Sequence, residues 1–219
     1  MELPFKNRTE AGQLLAEALK AYAGRTDVLT LGLPRGGVPV AFEVAQALKA
    51  PLDLMLVRKL GVPGQEELAM GAIATGGIRI LNQELVEGLN ISDAALEAVV
   101  NKEKRELERR EHAYRGDRPA PEIRNRCIIL IDDGVATGAT MRAAVSALRQ
   151  QQPMQIIIGT PVAPPDAVEN LKQEANEVIC LATPEGFSAI GHWYISFPQT
   201  SDEEVRALLD QAWGQVEAD

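Results

Sequence analysis

Two adjacent carboxylates, Asp132 and Asp133, stand between an apolar run and a loop of small and hydroxylated residues, in the order Cys127-Ile-Ile-Leu-Ile-Asp-Asp-Gly-Val-Ala-Thr-Gly-Ala-Thr140. Cys127 to Ile131 is apolar and β-branched enough to be a strand buried on both faces, and Met141-Arg-Ala-Ala-Val-Ser-Ala-Leu148 has the pattern of a helix. The loop between them, residues 134 to 140, therefore meets a helix N-terminus, where backbone N–H groups lack partners and carry partial positive charge. Gly134, Gly138 and Ala139 let the main chain approach an anion, Thr137 and Thr140 offer hydroxyl donors, and Val135 and Ala136 complete the loop. Ionised carboxylates only accept hydrogen bonds, so Asp132 and Asp133 suit a vicinal diol rather than a phosphate. A phosphate in the loop with a ribose over the acid pair is the economical reading; a plain strand, turn and helix with a solvated acid pair is the alternative.

Other residues with chemistry lie in three further segments. In Leu33-Pro-Arg-Gly-Gly37, Arg35 supplies charge and Gly36 and Gly37 supply accessible amides, a pattern that also fits an ordinary turn. Arg58 and Lys59 form a basic pair, and Glu66 and Glu67 follow in a segment whose composition favours a solvated role for both. Phe187, Trp193 and Tyr194 offer aromatic faces that could stack on a planar ligand or fill a small core. His192 among them is read as a hydrogen-bonded structural residue.

The elements that must position these groups alternate. A helical pattern over Thr9–Tyr22 precedes a strand at Asp27–Gly32, the loop 33–37, a helix over Val38–Leu48 and a second strand at Leu52–Val57. Arg58–Gly71, with Gly61, Pro63 and Gly64, reads as a mobile loop leading to short strands near Ala72–Ala74 and Ile78–Leu81. Later come strand 127–131, helix 140–150, strand Gln155–Thr160, helix Pro165–Glu174 and strand Glu177–Leu181, with a closing helix over Asp202–Trp213. This alternation predicts an α/β fold with a doubly wound, mainly parallel central sheet and flanking helices, carrying ligands at the carboxyl ends of its strands. Ser92–Arg115 reads as a long helical insertion of alternating charge with a narrow apolar stripe at Leu96, Val100, Leu107 and Tyr114. Such a stripe needs a surface to lie on, and a homodimer is one way to provide it. Thr183–Phe197 is irregular and rich in aromatics, a small hood. One domain is expected over 1–219, with a core of about 9–182, the insertion 92–115 and a hood of about 183–200.

A net charge of −9 with 46% hydrophobic residues points to a substantial core and away from nucleic-acid or membrane-surface partners. An anionic ligand would need a local cluster of cations and amides. Cys127 and Cys180 both lie in apolar runs, so free buried thiols are expected rather than a disulfide or a zinc site. The absence of an apolar leader or of eighteen consecutive apolar residues leads to the expectation of a soluble, cytoplasmic chain.

The segment 128–140 resembles the 5-phosphoribosyl-1-pyrophosphate (PRPP) motif of type I phosphoribosyltransferases: four apolar residues, two acids, then a short loop ending Thr-Gly-x-Thr. Gly134 departs from it, the family usually having an apolar residue there. The loop at Arg35-Gly36-Gly37 and the pair Arg58-Lys59 are similar to the family's pyrophosphate-binding segments, and the resemblance implies a cis peptide near Arg35-Gly36. It covers roughly residues 27 to 160, and the whole chain looks most like a broad group of uncharacterised bacterial phosphoribosyltransferase-like proteins.

What the resemblance implies is a transferase that moves the 5-phosphoribosyl group of PRPP to a nitrogenous base or other small acceptor. Asp132 and Asp133 would hold the ribose hydroxyls and reach a PRPP-bound Mg²⁺ directly or through water; Arg35, Arg58 and Lys59 would take the pyrophosphate. Phe187, Trp193 and Tyr194 are candidate acceptor contacts. Enzymes acting on 6-oxopurines usually carry an Asp where this chain has Ala136, and Arg58-Lys-Leu-Gly-Val-Pro-Gly64 is similar to the adenine enzymes' Arg-Lys-x-Gly-x-x-Pro-Gly, which disfavours hypoxanthine and guanine. A non-catalytic PRPP or nucleotide sensor on the same fold, and a nucleotide phosphatase or phosphorolytic enzyme, are the alternatives.

Overall fold

The alternating apolar and amphipathic segments build two sheets in the computed structural model, which describes residues 3–216. In chain order these are α1 (Arg8–Ala18), a 3-10 turn at Lys20–Tyr22, β1 (Val28–Gly32), α2 (Gly37–Leu48), β2 (Leu52–Leu54), β3 (Val57–Val62), β4 (Gln65–Ala74) and β5 (Ile78–Leu81). Then follow α3 (Gln83–Gly88), α4 (Asp93–Arg115), β6 (Cys127–Ile131), α5 (Ala139–Gln150), β7 (Gln155–Val162), α6 (Pro165–Lys172), β8 (Glu177–Ala182) and α7 (Asp202–Val216). The main sheet is parallel throughout, in the order β2-β1-β6-β7-β8. Every residue of β1 and β6 is buried, as expected of strands covered on both faces. Leu15, Val44 and Leu48 pack with Ile129 and Ile131 on one face, while Met141, Leu148 and Leu171 pack with Ile128 and Leu130 on the other.

The strand order fixes where a ligand can enter. From β1 the chain steps outward to β2, whereas from β6 it steps the other way to β7 and β8, so the loops after β1 and β6 part company above their paired ends. Gly32 pairs with Ile131, placing residues 33–37 and 132–138 on the two lips of one crevice. Such a reversal point is where open parallel sheets bind ligands.

Two readings of the sequence are corrected. The apolar run 52–57 is not one strand: β2 ends at Leu54, and Val57 already belongs to the second, antiparallel sheet β3-β4-β5. The expected mobile loop 58–71 is a β-hairpin, with Val62 paired to Gln65 across the two-residue turn Pro63-Gly64. Proline at the first and glycine with φ +80° at the second turn position is the arrangement of a tight turn, not of an open loop. Leu60, Val62, Met70 and Ala72 bury themselves, while residues 65–69 are exposed, so the tip projects from the body. The short helix α3 was also missed.

The insertion α4 is covered by the chain itself. Ser92 caps it by accepting from the Ala95 amide, and Leu96, Val100, Leu107 and Tyr114 join the main core, packing toward β3, β4 and α7. The stripe therefore gives no ground for a second copy of the chain. At its C-terminal end Arg115 donates from Nε to Asp53 Oδ1 (2.7 Å) and from Nη2 to the Leu54 carbonyl (2.7 Å), tying α4 to edge strand β2 with both side chains buried. The hood is joined by its backbone to the N-terminal segment, with Phe5 N–H donating to Trp193 O, and Ile195 and Ser196 N–H donating to Phe5 O and Lys6 O, while Tyr194 shares an apolar cluster with Val162 of β7 and Ala182 of β8. Cys127 is buried and Cys180 half-buried, both as free thiols, and among the described residues no helix is long and apolar enough to cross a membrane.

Removing one partner of a buried ion pair leaves the other charge without compensation. Arg115→Met should therefore lower the unfolding free energy by about 3–5 kcal/mol. Lys102→Met, on the exposed face of the same helix, should stay within about 0.5 kcal/mol of the parent. Urea denaturation of the two variants checks the contrast.

Candidate functional site

The crevice between β1 and β6 collects the residues singled out by their chemistry. Asp132 and Asp133 are the first residues beyond β6, and Gly36 lies directly opposite: a Cβ there would come within 2.0 Å of Asp133 Oδ2. Gly37 is equally confined, its Cβ position falling 2.7 Å from the Ile131 carbonyl oxygen. The amide of Gly37 is committed to Leu33 O (3.0 Å), and Arg35 and Gly36 are the residues of this loop that line the crevice. The peptide bond between Pro34 and Arg35 is cis, one bond before the position the resemblance suggested. Arg35, Gly36 and Asp133 line a cavity of about 420 Å³ together with Arg8, Phe197 and Thr200.

The loop 134–140 forms the other side. The Val135 amide donates to Val162 O and its side chain is buried, so Val135 anchors the loop from below. Gly138 caps α5, which starts at Ala139, and Thr137 Oγ1 accepts weakly from the Ala139 amide (3.4 Å). Ala136, Thr137 and Thr140 are exposed above them. Asp132, residues 134–141 and Ile190 surround a cavity of about 180 Å³, the size of a small anion with its nearest waters. Ile190 explains the glycine at 134: a Cβ on Gly134 would meet Ile190 Cγ2 at 2.4 Å, so the hood supplies the apolar group that the loop lacks.

The two carboxyls are not equivalent. Asp133 Oδ2 accepts from Arg8 Nε at 2.8 Å, whereas Asp132 Oδ1 accepts the Asp133 amide at 2.9 Å. Burial drives the Asp132 pKa well above the usual carboxylate range, and repulsion from Asp133 adds to it. Burial raises Asp133 too, against the pull of Arg8. The pair therefore holds a proton more readily than isolated aspartates do, with Asp132 the more strongly perturbed member.

Two of the remaining basic residues, Arg58 and Arg35, meet carboxylates of the flanking helices. Arg58 donates from Nε and Nη2 to Glu103 Oε2 on α4 (2.8 and 2.6 Å). Lys59, the next residue on β3, is exposed, and Arg58, Lys59, Glu66, Lys102 and Thr140 line a cleft of about 360 Å³ between the hairpin and α4. Glu67 is exposed on the hairpin. Arg35 Nη1 lies 3.7 Å from Asp202 Oδ1 at the start of α7.

In the hood, Phe187 and Trp193 are half-buried and stacked at 6.4 Å. Tyr194 has a different place. Its ring is buried between Phe5 and Phe197, and its hydroxyl donates to the Asp133 carbonyl at 2.5 Å, which makes it a strut under the acid pair. His192 is exposed, with Nδ1 2.8 Å from Ser188 Oγ. Sequence reasoning missed Arg8 and Ile190. Arg8 offers one signal, a cation in the first position of a helix, where the helix dipole disfavours it; Ile190 offers none.

A family model described as phosphoribosyl transferase domain matches residues 6–192. Two curated Mycobacterium tuberculosis proteins, each named "Putative phosphoribosyl transferase" (MT0597 and Rv0571c), are 48% identical to the chain over 208 residues, 95% of this chain and 47% of theirs. The chain thus spans about half the length of these curated relatives. The crystal structure of TT1426 from Thermus thermophilus superposes with a TM-score of 0.84 at 43% identity, covering 94% of this chain and 98% of that one. AQ2163 from Aquifex aeolicus, at TM-score 0.50 and 14% identity over 92% of this chain and 83% of its own, shares the fold.

An acid whose pKa is raised by folding weakens the folded state as pH climbs from its unfolded value, near 3.8 for Asp, through the raised folded value. Asp132→Asn keeps the oxygen that accepts the Asp133 amide and removes the charge. At neutral pH this variant should be more stable than the parent by about 1–2 kcal/mol. The advantage should shrink toward about pH 4 and vanish by about pH 3, where Asp132 is protonated in both states. Thermal unfolding of both proteins across this range checks the sign.

Proposed function

This chain belongs to the phosphoribosyl transferase domain family, and from that premise we propose that it transfers the 5-phosphoribosyl group of PRPP to a nitrogenous base or other small acceptor, releasing pyrophosphate. The observation that carries this reading is the placement of Asp132 and Asp133 at the reversal point of the parallel sheet, with the α5 N-terminus on one side and Arg35-Gly36 on the other. A sugar carrying a 5-phosphate and a 1-pyrophosphate has its charges at those two ends and its diol between them. Loop amides of 134–140 and the Thr137 and Thr140 hydroxyls receive the phosphate, the acid pair orients the ribose hydroxyls, and Arg35, the Gly36 amide and Lys59 receive the pyrophosphate.

In the reaction the bond from the anomeric carbon to the pyrophosphate oxygen breaks as an acceptor nitrogen bonds to that carbon, and positive charge spreads over the ring. Asp132 and Asp133, beneath the ring, favour that charge, while Arg35 and Lys59 favour the departing anion. Arg58 joins them when it exchanges Glu103 for the pyrophosphate. The hairpin β3-β4, swung toward the crevice, would exclude water that competes as nucleophile. Phe187 and Trp193 are the hood aromatics proposed to face the acceptor, with Tyr194 supporting Asp133 from below.

Among the described residues no group of three His, Cys, Asp or Glu side chains is placed to hold a metal by itself. The acid pair nevertheless fits Mg²⁺, which takes one or two carboxylates and completes its shell with substrate phosphate oxygens and water. Asp132, with Asp133 directly or through water, would hold it, and its charge would neutralise the leaving pyrophosphate. One observation favours the sensor alternative: Arg58 is engaged by Glu103 rather than open to a ligand.

Incubating the chain with PRPP, Mg²⁺ and a panel of bases while following pyrophosphate separates the readings. Release coupled to nucleotide formation is expected; saturable PRPP binding with no turnover on any acceptor leaves the sensor. The double variant Asp132→Asn/Asp133→Asn should lose PRPP binding and still unfold cooperatively, and unchanged affinity there removes the ribose assignment. Because the pair must give up a proton to meet a diol or a cation, PRPP affinity should rise with pH through the raised Asp132 pKa. Calorimetry in buffers of different ionisation enthalpy should detect the proton released on binding.

A further inference from the structure

We propose that Arg8 is a positioning residue of the donor site: it fixes which oxygen of Asp133 faces the ribose and joins the hood to the acid pair. The inference rests on the PRPP reading given above and assigns a role to a residue outside the PRPP motif. Arg8 reaches Asp133 from 125 positions away in sequence and makes three contacts at once. Its Nε donates to Asp133 Oδ2 at 2.8 Å, its Nη1 donates to the Pro198 carbonyl at 2.7 Å, and its guanidinium carbon lies 3.8 Å from the centre of the Phe197 ring. Both charged side chains are about nine-tenths buried.

Stability is a poor reason for this arrangement. Arg8 is the first residue of α1, the end at which a helix repels a cation, and a buried ion pair is often no more stabilising than an apolar pair of the same volume. What the contacts do is geometric. Gly36 leaves the space that Asp133 Oδ2 occupies, the Tyr194 hydroxyl holds the Asp133 backbone carbonyl, and Arg8 holds Oδ2, so the backbone beneath the carboxylate is fixed and its orientation is set by Arg8. The Arg8 charge also opposes the effect of burial on Asp133, favouring the ionised form that a hydroxyl donor needs. Because the same guanidinium holds Pro198 and Phe197, movement of the hood segment 197–200 is transmitted to the ribose carboxylate. That segment shares the 420 Å³ cavity with Arg35, Gly36 and Asp133.

The test is a double-mutant cycle on PRPP·Mg binding, measured by calorimetry with the full chain. Arg8→Gln should weaken binding roughly ten- to hundred-fold, the order for losing a hydrogen bond to a charged group. In an Asp133→Asn background the same change should cost clearly less, because the charge that Arg8 pairs with is already gone. Arg8→Lys, which keeps the charge and loses the fork, should lie between Arg8→Gln and the parent, and it serves as the folded comparison should Arg8→Gln unfold. A residue that merely anchors the hood would lower the unfolding temperature alike in both backgrounds and leave PRPP affinity unchanged. Unchanged affinity in Arg8→Gln, full affinity in Arg8→Lys, or losses that multiply across the cycle would each overturn the assignment while leaving the donor reading intact. A parent chain that binds no PRPP would overturn the donor reading, and this inference with it.

Discussion

Two carboxylates side by side at the mouth of a parallel sheet lose solvation there, and for Asp132 repulsion from Asp133 adds to the cost. Much of the surrounding structure can be understood as holding them there. The strands beneath are buried on both faces and cannot shift, the Val135 amide pins the following loop to β7, and the Tyr194 hydroxyl props the Asp133 backbone. Arg8 compensates one charge and leaves the other largely to its neighbour's amide. On the PRPP reading this asymmetry would suit a diol and a cation together, because a fully compensated pair would have little to offer a ligand.

The same asymmetry runs through the basic residues. Arg58 is paired with Glu103 on α4 and Arg35 lies within reach of Asp202 on α7. In a chain of net charge −9 this distribution matters, because the positive field near the crevice is local and already partly spent on internal partners. The long helix α4 thereby acquires a purpose beyond covering the core. Its apolar stripe fixes it to the body, Arg115 locks its end to β2, and its Glu103 sets the resting position of Arg58.

The parallel sheet and the acid-pair loop were legible because local composition alone determines them. Strands buried on both faces read as unbroken apolar runs, and a helix that starts after Gly-Ala-Thr carries its signal within a few residues. The hairpin was not legible for an equally physical reason. Its turn residues Pro63 and Gly64 and its exposed Gln65, Glu66 and Glu67 have the composition of a loop, and only the pairing of Val62 with Gln65 makes them a ladder. Gly134 could be seen to depart from the usual pattern, yet its cause, Ile190, is distant in sequence and acts through shape. Tyr194 stayed open between a ligand-stacking and a core role because nothing local distinguishes a free aromatic face from one packed between Phe5 and Phe197.

The site is thus bounded by two bodies of different attachment. On one side α1, the residues before it and the hood are joined by backbone hydrogen bonds at Phe5 and Lys6 and meet the acid pair through Arg8. On the other the hairpin stands on α4 and α5, and its tip is exposed. Arg8–Asp133 is nearly buried. Arg58–Glu103 is more accessible and must open if Arg58 is to serve a pyrophosphate. On the PRPP reading, closure would come from the hairpin: Arg58 would gain a diphosphate as it gives up Glu103, a near-even exchange of charge-assisted hydrogen bonds that a small binding energy can tip.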